Sequence, residues 1–364
     1  MKRRDLIKSL AAGSALLAAC KPEATPTGGG EAASTEKFDW KMYTTWPRNF
    51  PGLGTGANRA AELITKMSGG RLTVTVYGAG ERVPALEVFD AVSRGSAQMG
   101  HSPAYYWKGK AEAAPFFTAI PFGFTSWEMA AWLQFGGGYE LWRELYAPFN
   151  LVPFECGNTA AQMGGWFRKP IRSLADLKGL KMRIPGIGGE ALARLGVTTV
   201  NIPGGELFTA LSSGAIDATE WVGPYNDLAF GLHKAAKFYH YPGWHEPGPA
   251  IELMVHKPAW ESLPGDLQTI VSTACSAVTQ TMVAEYAARN PRALNELVNK
   301  HGVSVLPFPD DVIEALKKAS QDVIAGIVAR DPFAKKVYDS IAVFLPQVAE
   351  NTRISDFAFL KARG

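Results

Sequence analysis

Cysteine is scarce in this chain: Cys20, Cys156 and Cys275 are the only three among 364 residues. Cys156 and Cys275 allow one disulfide in an oxidising compartment, but spacing alone supplies no geometry for it. The six histidines are scattered and complete no Cys/His spacing for zinc. Catalytic signatures are missing too. Gly109-Lys110 is followed by Ala111, so no phosphate loop is present, and neither Gly-x-Ser-x-Gly nor His-Glu-x-x-His occurs. His245-Glu246 runs into Pro247, which would disrupt a zinc-binding helix. Charge of one sign is also lacking. The formal net charge is +3, and Lys2, Arg3, Arg4 and Lys8 against Asp5 place all of that excess in residues 1–19. The remainder is neutral, which argues against a nucleic-acid partner. Past the leader, no apolar run is long enough to span a membrane.

What is present is a folded composition, 47% hydrophobic and 20% charged. The length exceeds the roughly 250–300 residues at which one core splits, so two lobes or more are expected. Residues 1–19 read as a signal peptide: a basic start and then about 10 apolar residues, half of what a membrane span needs. Leu17-Ala18-Ala19-Cys20 is similar to a bacterial lipobox, which makes Cys20 the expected lipidation site. Arg3-Arg4 also resembles a twin-arginine signal, leaving the export route open between that and the general one. Residues 20–36 are rich in Pro, Gly, Ser, Thr, Ala and Glu and read as a flexible lipoprotein tether.

After the tether the pattern is strand, helix, strand: Asp39–Trp46, Ala57–Ser68, then the alternating Leu72–Tyr77. That order argues for an α/β fold with parallel pairing. A unit then recurs. Glu87–Met99 and Glu206–Ala218 match at Glu, Phe, Ala, Ser and Gly, offset by 119 residues. Each reads as an amphipathic helix closed by a glycine cap, Gly95 or Gly214, leading through a short apolar stretch into a loop. Two such lobes would face each other across a cleft at their strand ends. Beyond Pro258 the chain is mostly helical: one run from Pro264 to about Lys300, interrupted near Asn290-Pro291, then helices opening at Asp310 and Asp331.

Gly186-Ile187-Gly188-Gly189-Glu190-Ala191 satisfies a dinucleotide-binding spacing after the strand Leu180–Ile184. The following strand, Val197–Ile202, ends without the acid such a site requires, and Pro185 intervenes. A glycine-rich strand-to-helix turn is the favoured reading, with an exported nucleotide-using enzyme as the rival.

Lys181-Met182-Arg183, Glu206–Glu220 and the long C-terminal helices together resemble the solute-binding proteins of TRAP transporters, the DctP family. Asn158–Lys169, Glu220-Trp221 and Pro242–Pro247 are similar to the subgroup that binds 2-oxo acids. The resemblance implies a two-lobed periplasmic-binding-protein-like fold, with lobe I from 37–157 plus about 248–290. Lobe II would take 158–247 plus about 291–364, with the C-terminal helices. It also implies a receptor for a small 2-oxo or 2-hydroxy monocarboxylate of the pyruvate, lactate or 2-oxobutyrate type, not an enzyme. Such a protein is periplasmic, delivers its ligand to membrane permease subunits, and in some members forms a homodimer. A receptor-linked ligand sensor with the same site is the second rival.

By resemblance, Arg183 grips the ligand carboxylate, a task suited to an always-charged guanidinium with paired donors. Arg168, beside Lys169, competes for that role but reads better as a surface charge. Glu220, the main-chain oxygen of Trp221, Glu246 and Gln162 would hold a bridging ion, Ca2+ or Na+, since hard oxygens suit those cations. Gln162 contacts the ligand or the ion. Asn158 and Tyr105 are candidates for the 2-oxo or 2-hydroxy oxygen, with Tyr106 an equal rival to Tyr105. Trp221 would wall the cleft.

Overall fold

The structure, a computed structural model, describes residues 36–364. The signal peptide, most of the tether and Cys20 lie outside the described residues. Within them, one mixed sheet contains β1 (Phe38–Thr44), β2 (Leu72–Tyr77), β3 (Met99–Ser102), β4 (Leu151–Asn158) and β10 (Ala250–His256). A second contains β5 (Gly165–Phe167), β6 (Lys181–Arg183), β7 (Thr198–Val200), β8 (Ala218–Thr219), β9 (Phe238–Tyr241) and β11 (Ser304–Pro307). Their orders are β2-β1-β3-β10-β4 and β7-β6-β8-β5-β9-β11. From β2 and from β7, the first four pairings run parallel, parallel, antiparallel, antiparallel in both sheets. The β-α-β pattern near the start gives the expected parallel pair, Phe38 opposite Leu72.

The sequence repeat is a structural repeat. In each copy a single 3-10 turn, Ala85–Glu87 or Gly204–Glu206, leads into a short helix, Val88–Ser93 or Leu207–Ser213. Gly95 and Gly214 both close the turn at φ 77°, a left-handed conformation that glycine adopts without a Cβ penalty. The chain then enters β3 or β8, each running parallel to the sheet's first strand of that unit.

Besides the helices that lead from β10 to β11, two segments connect the sheets: the one following β4 and the one preceding β10. They lie side by side, because Asn158 Nδ2 donates to the Gly248 carbonyl at 3.1 Å and Gln162 N donates to that of Glu246 at 3.2 Å. This pairing brings Gln162 and Glu246 together although they are 84 residues apart.

The helix Gly265–Asn299 is continuous through Pro291, where an interruption was expected from sequence. At 1.5 Å per residue its 35 residues span about 52 Å. Leu267, Val271, Ala274, Val278 and Met282 recur at three- and four-residue spacing and are buried. That face packs on β4 and on the helices Leu53–Met67 and Pro224–Phe230. Farther along, Tyr286 Oη donates to Asn226 Oδ1 at 2.6 Å, and Asn226 Nδ2 donates to the Pro51 carbonyl at 2.7 Å. The helix therefore ties together segments adjoining both sheets. Helices Asp310–Arg330 and Pro332–Thr352 follow, as their opening residues predict. Cys156 and Cys275 are free thiols buried in one core. No helix among the described residues is long and apolar enough to cross a membrane.

Candidate functional site

Ligands in sheets of this kind bind beyond the carboxyl ends of parallel strands. β6 and β8 are such a pair, in register so that Arg183 stands opposite Thr219. Arg183 closes one strand and Glu220 follows the other, which brings their side chains together. Both are 0% exposed. Arg183 Nη1 donates to Glu220 Oε1 and, at 3.3 Å, to the Glu220 carbonyl. Nε donates to the Ile202 carbonyl at 3.2 Å and Nη2 to Tyr106 Oη at 3.0 Å. Burial pulls the guanidinium pKa down, but Tyr106, Glu220 and Tyr105 outweigh it and the group is held above its ordinary value. The cation is thus fixed in position on three sides. Its Cζ also lies 5.2 Å from the centre of the Trp221 ring, a cation–π distance.

Glu220 has a second partner: its Oε2 lies 3.3 Å from His245 Nε2. The adjacent Glu246 accepts from Gln162 Nε2 at 2.7 Å. Burial, then the charge of Glu220, push the Glu246 carboxyl well above the ordinary range, against opposing effects of Arg183, Tyr105 and Gln162. Glu220, His245 and Glu246 each bring one ligating atom within 4.8 Å of the others. Tyr105, Tyr106, Gln162, Trp221 and Glu246 share the wall of a cavity of about 10 Å³ with Trp46, Thr159 and Ile251. That volume is about the room one water or one bare ion occupies.

The donor set fits a hard cation. Gln162 Oε1 is buried with no hydrogen-bond partner. An orphaned acceptor of this kind costs roughly 1–3 kcal/mol and is relieved by a cation or a donor. It lies on a side chain already bonded to Glu246, beside two carboxylates, and oxygens so grouped suit Na+ or Ca2+. Trp221 Nε1 and His245 Nδ1 are likewise buried and unpartnered.

The structure thus brings Arg183, Glu220, Trp221, Glu246, Gln162 and Tyr105 into one cluster. Tyr106, an equal alternative to Tyr105 in the sequence, joins it: Tyr106 bonds Arg183, and Tyr105 acts on Glu246. Asn158 does not line this cavity. Its Nδ2 donates to the Gly248 carbonyl and its Oδ1 accepts from Ala160 N at 2.9 Å, so it braces the connecting segments. Arg168 is exposed at the end of β5. His245 was not singled out by sequence, because its partners come from other elements and no spacing marks it. The glycine-rich turn is filled by protein. A Cβ on Gly188 would sit 2.9 Å from His245 Cβ, and one on Gly189 would sit 2.6 Å from the Ile184 carbonyl. These glycines let the helix Gly186–Arg194 approach the site closely, leaving no berth for a pyrophosphate.

Comparisons with known proteins agree with this geometry. A monocarboxylate 2-oxoacid-binding periplasmic protein of Nostoc is 42% identical over 359 residues, 99% of this chain and 98% of that one. A TRAP transporter solute-binding protein from Bordetella bronchiseptica, a mixed-occupancy dimer with copurified calcium and picolinate, superimposes with TM-score 0.89. It is 38% identical and covers 90% of this chain and 97% of its own. A TRAP periplasmic solute-binding protein from Pseudoalteromonas atlantica with bound sodium and pyruvate gives TM-score 0.87 at 43% identity, covering 90% and 99%. Residues 43–331 match the family described as bacterial extracellular solute-binding protein, family 7. The chain therefore belongs to that family, DctP, whose members are solute receptors of TRAP transporters.

Proposed function

We propose that this chain is the extracytoplasmic receptor for a small 2-oxo or 2-hydroxy monocarboxylate and delivers it to TRAP permease subunits. The observation that carries the reading is the buried Arg183, held by Ile202, Glu220 and Tyr106 beside a cluster of buried oxygens. A monocarboxylate would take the Nη1–Nη2 fork of Arg183 in a bidentate pair, with Nη1 exchanging Glu220 Oε1 for the ligand as that carboxylate turns to the ion. Glu220, Glu246, Gln162 and the main-chain oxygen of Trp221 would hold Na+ or Ca2+. That ion would supply a second positive charge facing the ligand. His245 brings a ring nitrogen to the same cluster. Tyr105 and Tyr106 would donate to a 2-oxo or 2-hydroxy oxygen, and Trp221 and Trp46 would cover a short apolar tail; all four line the same cavity.

The ligand binds between the two sheets, which act as lobes divided as the sequence suggests, 37–157 plus about 248–290 and 158–247 plus about 291–364. Ligand contacts made to both lobes favour the closed arrangement over the open one. Asn158, which ties the two connecting segments together, belongs to this hinge. The protein is periplasmic, with Cys20 as lipid anchor. It forms a homodimer through its C-terminal helices, where Val343, Ile354, Phe357, Phe359 and Leu360 are exposed. The B. bronchiseptica relative's dimer supports this.

A thermal-shift panel of 2-oxo, 2-hydroxy and dicarboxylic acids, each with Na+ and Ca2+, tests the proposal. Stabilisation confined to short monocarboxylates with an oxygen at C2 is expected. A response to dicarboxylates alone, or to nucleotides, would overturn it. Loss of 2-oxo-acid uptake on gene deletion separates transport from a purely sensing role.

A further inference from the structure

A second cavity, of about 260 Å³, lies between the helix Ser126–Phe135, β4 and the helix Gly265–Asn299. It shares none of its lining with the Arg183 site. Its one ionisable carboxyl is that of Glu155, a residue only 4% exposed. A buried carboxylate is expensive unless a cation or several donors meet it. Here no lysine, arginine or histidine lines the cavity, and among the described residues Glu155 makes no ion pair. The side chain has one hydrogen bond, a long one of 3.5 Å from Asn158 Nδ2. Glu252, the neighbour of Glu155 across β10 and β4, is different: Trp107 Nε1 at 2.7 Å and Tyr146 Oη at 2.8 Å satisfy both its oxygens. Glu155 is therefore a buried acid left without its complement, and burial pushes its carboxyl up to about 8.

The other lining groups are neutral, and several are acceptors. Ser276 Oγ donates to the Ser272 carbonyl at 3.2 Å and Thr279 Oγ1 to that of Cys275 at 3.1 Å. Those hydroxyls have committed their protons to the helix, so what they offer a ligand is lone pairs. Trp127, 66% exposed, contributes an aromatic ring to the lining. One carboxylate with two or three neutral oxygens is a poor set for a divalent metal, which wants six or more ligands. It suits a group with three N–H donors, and an aromatic face suits its charge and its carbon chain.

We propose that this cavity is a second ligand site, which binds a small primary alkylammonium ion through Glu155, Ser276 and Thr279 under Trp127. It stands beside the hinge, since Asn158, which bonds Glu155, also clasps Gly248. The chemical class is an organic cation carrying a primary amine on a short chain. It is independent of the anion held by Arg183.

Protein-observed NMR titration of the mature protein with n-butylammonium, and with 1-butanol as the neutral isostere, tests this. Butylammonium is expected to shift signals of Glu155, Trp127 and Thr279, and butanol to leave them in place. Glu155→Gln, which keeps the shape and removes the charge, should weaken butylammonium at least about tenfold. The same variant should bind pyruvate as the parent does. If Glu155→Gln does not fold, Trp127→Ala at the exposed position should still weaken butylammonium several-fold. Equal binding of butylammonium and butanol would make the cavity merely apolar and overturn the proposal. So would unchanged butylammonium affinity in Glu155→Gln, or no shifts in the lining residues at up to about 50 mM.

Discussion

The 119-residue offset that aligns the two repeated units also aligns His101 with Glu220 and Ser102 with Trp221. By register, Tyr43 opposite Gly100 then holds the place of Arg183 opposite Thr219. The backbone frame is the same at both strand ends, and the chemistry placed on it is opposite. In the first sheet, His101 Nδ1 accepts from Trp46 Nε1 at 2.8 Å and its Nε2 donates to the Cys156 carbonyl at 3.0 Å. Each nitrogen has one partner, so that end is a finished wall. In the second sheet an ion pair is buried beside an orphaned amide oxygen and a second carboxyl. Buried charges are costly, and satisfying one strand end while leaving its equivalent short of partners marks the latter as the place where a ligand completes the set.

The largest effect that sharpens this contrast is at Arg183. Arg183→Ala leaves Glu220 buried without its cation, which costs about 3–5 kcal/mol of stability, and calorimetric titration should find carboxylate binding abolished. Arg183→Lys keeps the charge but loses the fork, and an affinity loss of roughly tenfold or more is expected. Near-parental affinity in Arg183→Lys would break the assignment of a bidentate grip. Next, Glu246→Gln should lower the apparent ion affinity by on the order of tenfold, read as the salt concentration needed for half-maximal pyruvate binding. His101→Phe, at the equivalent wall, should destabilise by about 1–3 kcal/mol in urea melts, because Trp46 Nε1 and the Cys156 carbonyl lose their partner. Its pyruvate affinity should fall far less than in Arg183→Lys, the change coming only through Trp46, and a collapse there would end the distinction between the two strand ends.

A further expected effect is a slope with pH. Burial raises Glu252 to about 8 and Asp227 to about 7. The folded protein keeps those protons through a range in which the unfolded chain, with ordinary carboxyl pKa values, has released them. Stability from these groups is therefore full below about pH 4 and is lost as pH rises towards 8. The slope is about 1.4 kcal/mol per proton per pH unit, and Glu252→Gln should flatten it by close to one proton. Melting temperatures that rise across pH 5 to 8 in the parent would contradict this.

Much of this was legible because it is local. Gly95 and Gly214 announce helix ends, and the alternation of Leu72–Tyr77 announces a strand. Arg183, Glu220, Trp221 and Glu246 were legible through motifs, since Lys181-Met182-Arg183 and Glu220-Trp221 sit at strand ends. The remainder depends on contacts made across long stretches of chain. The place of β10 between β3 and β4 is set by pairings about 100 to 150 residues apart. His245 became part of the cluster only because Gly188 lets a helix approach it. Asn158 offered the right donor in the right segment, but Gly248 and Ala160 had already engaged it. Pro291 reads locally as a break, yet the flanking turns pack along one face from Leu267 to Leu297 and carry the helix through.

The proposed receptor role rests on Arg183 and a hard cation holding a short 2-oxo acid together. Isothermal titration of chelator-treated protein with pyruvate, with and without added Ca2+ or Na+, tests it most directly. Tight 1:1 binding is expected with the ion restored, and weak or undetectable binding without it. Equal affinity in metal-free buffer, or no pyruvate binding under either condition, would contradict it.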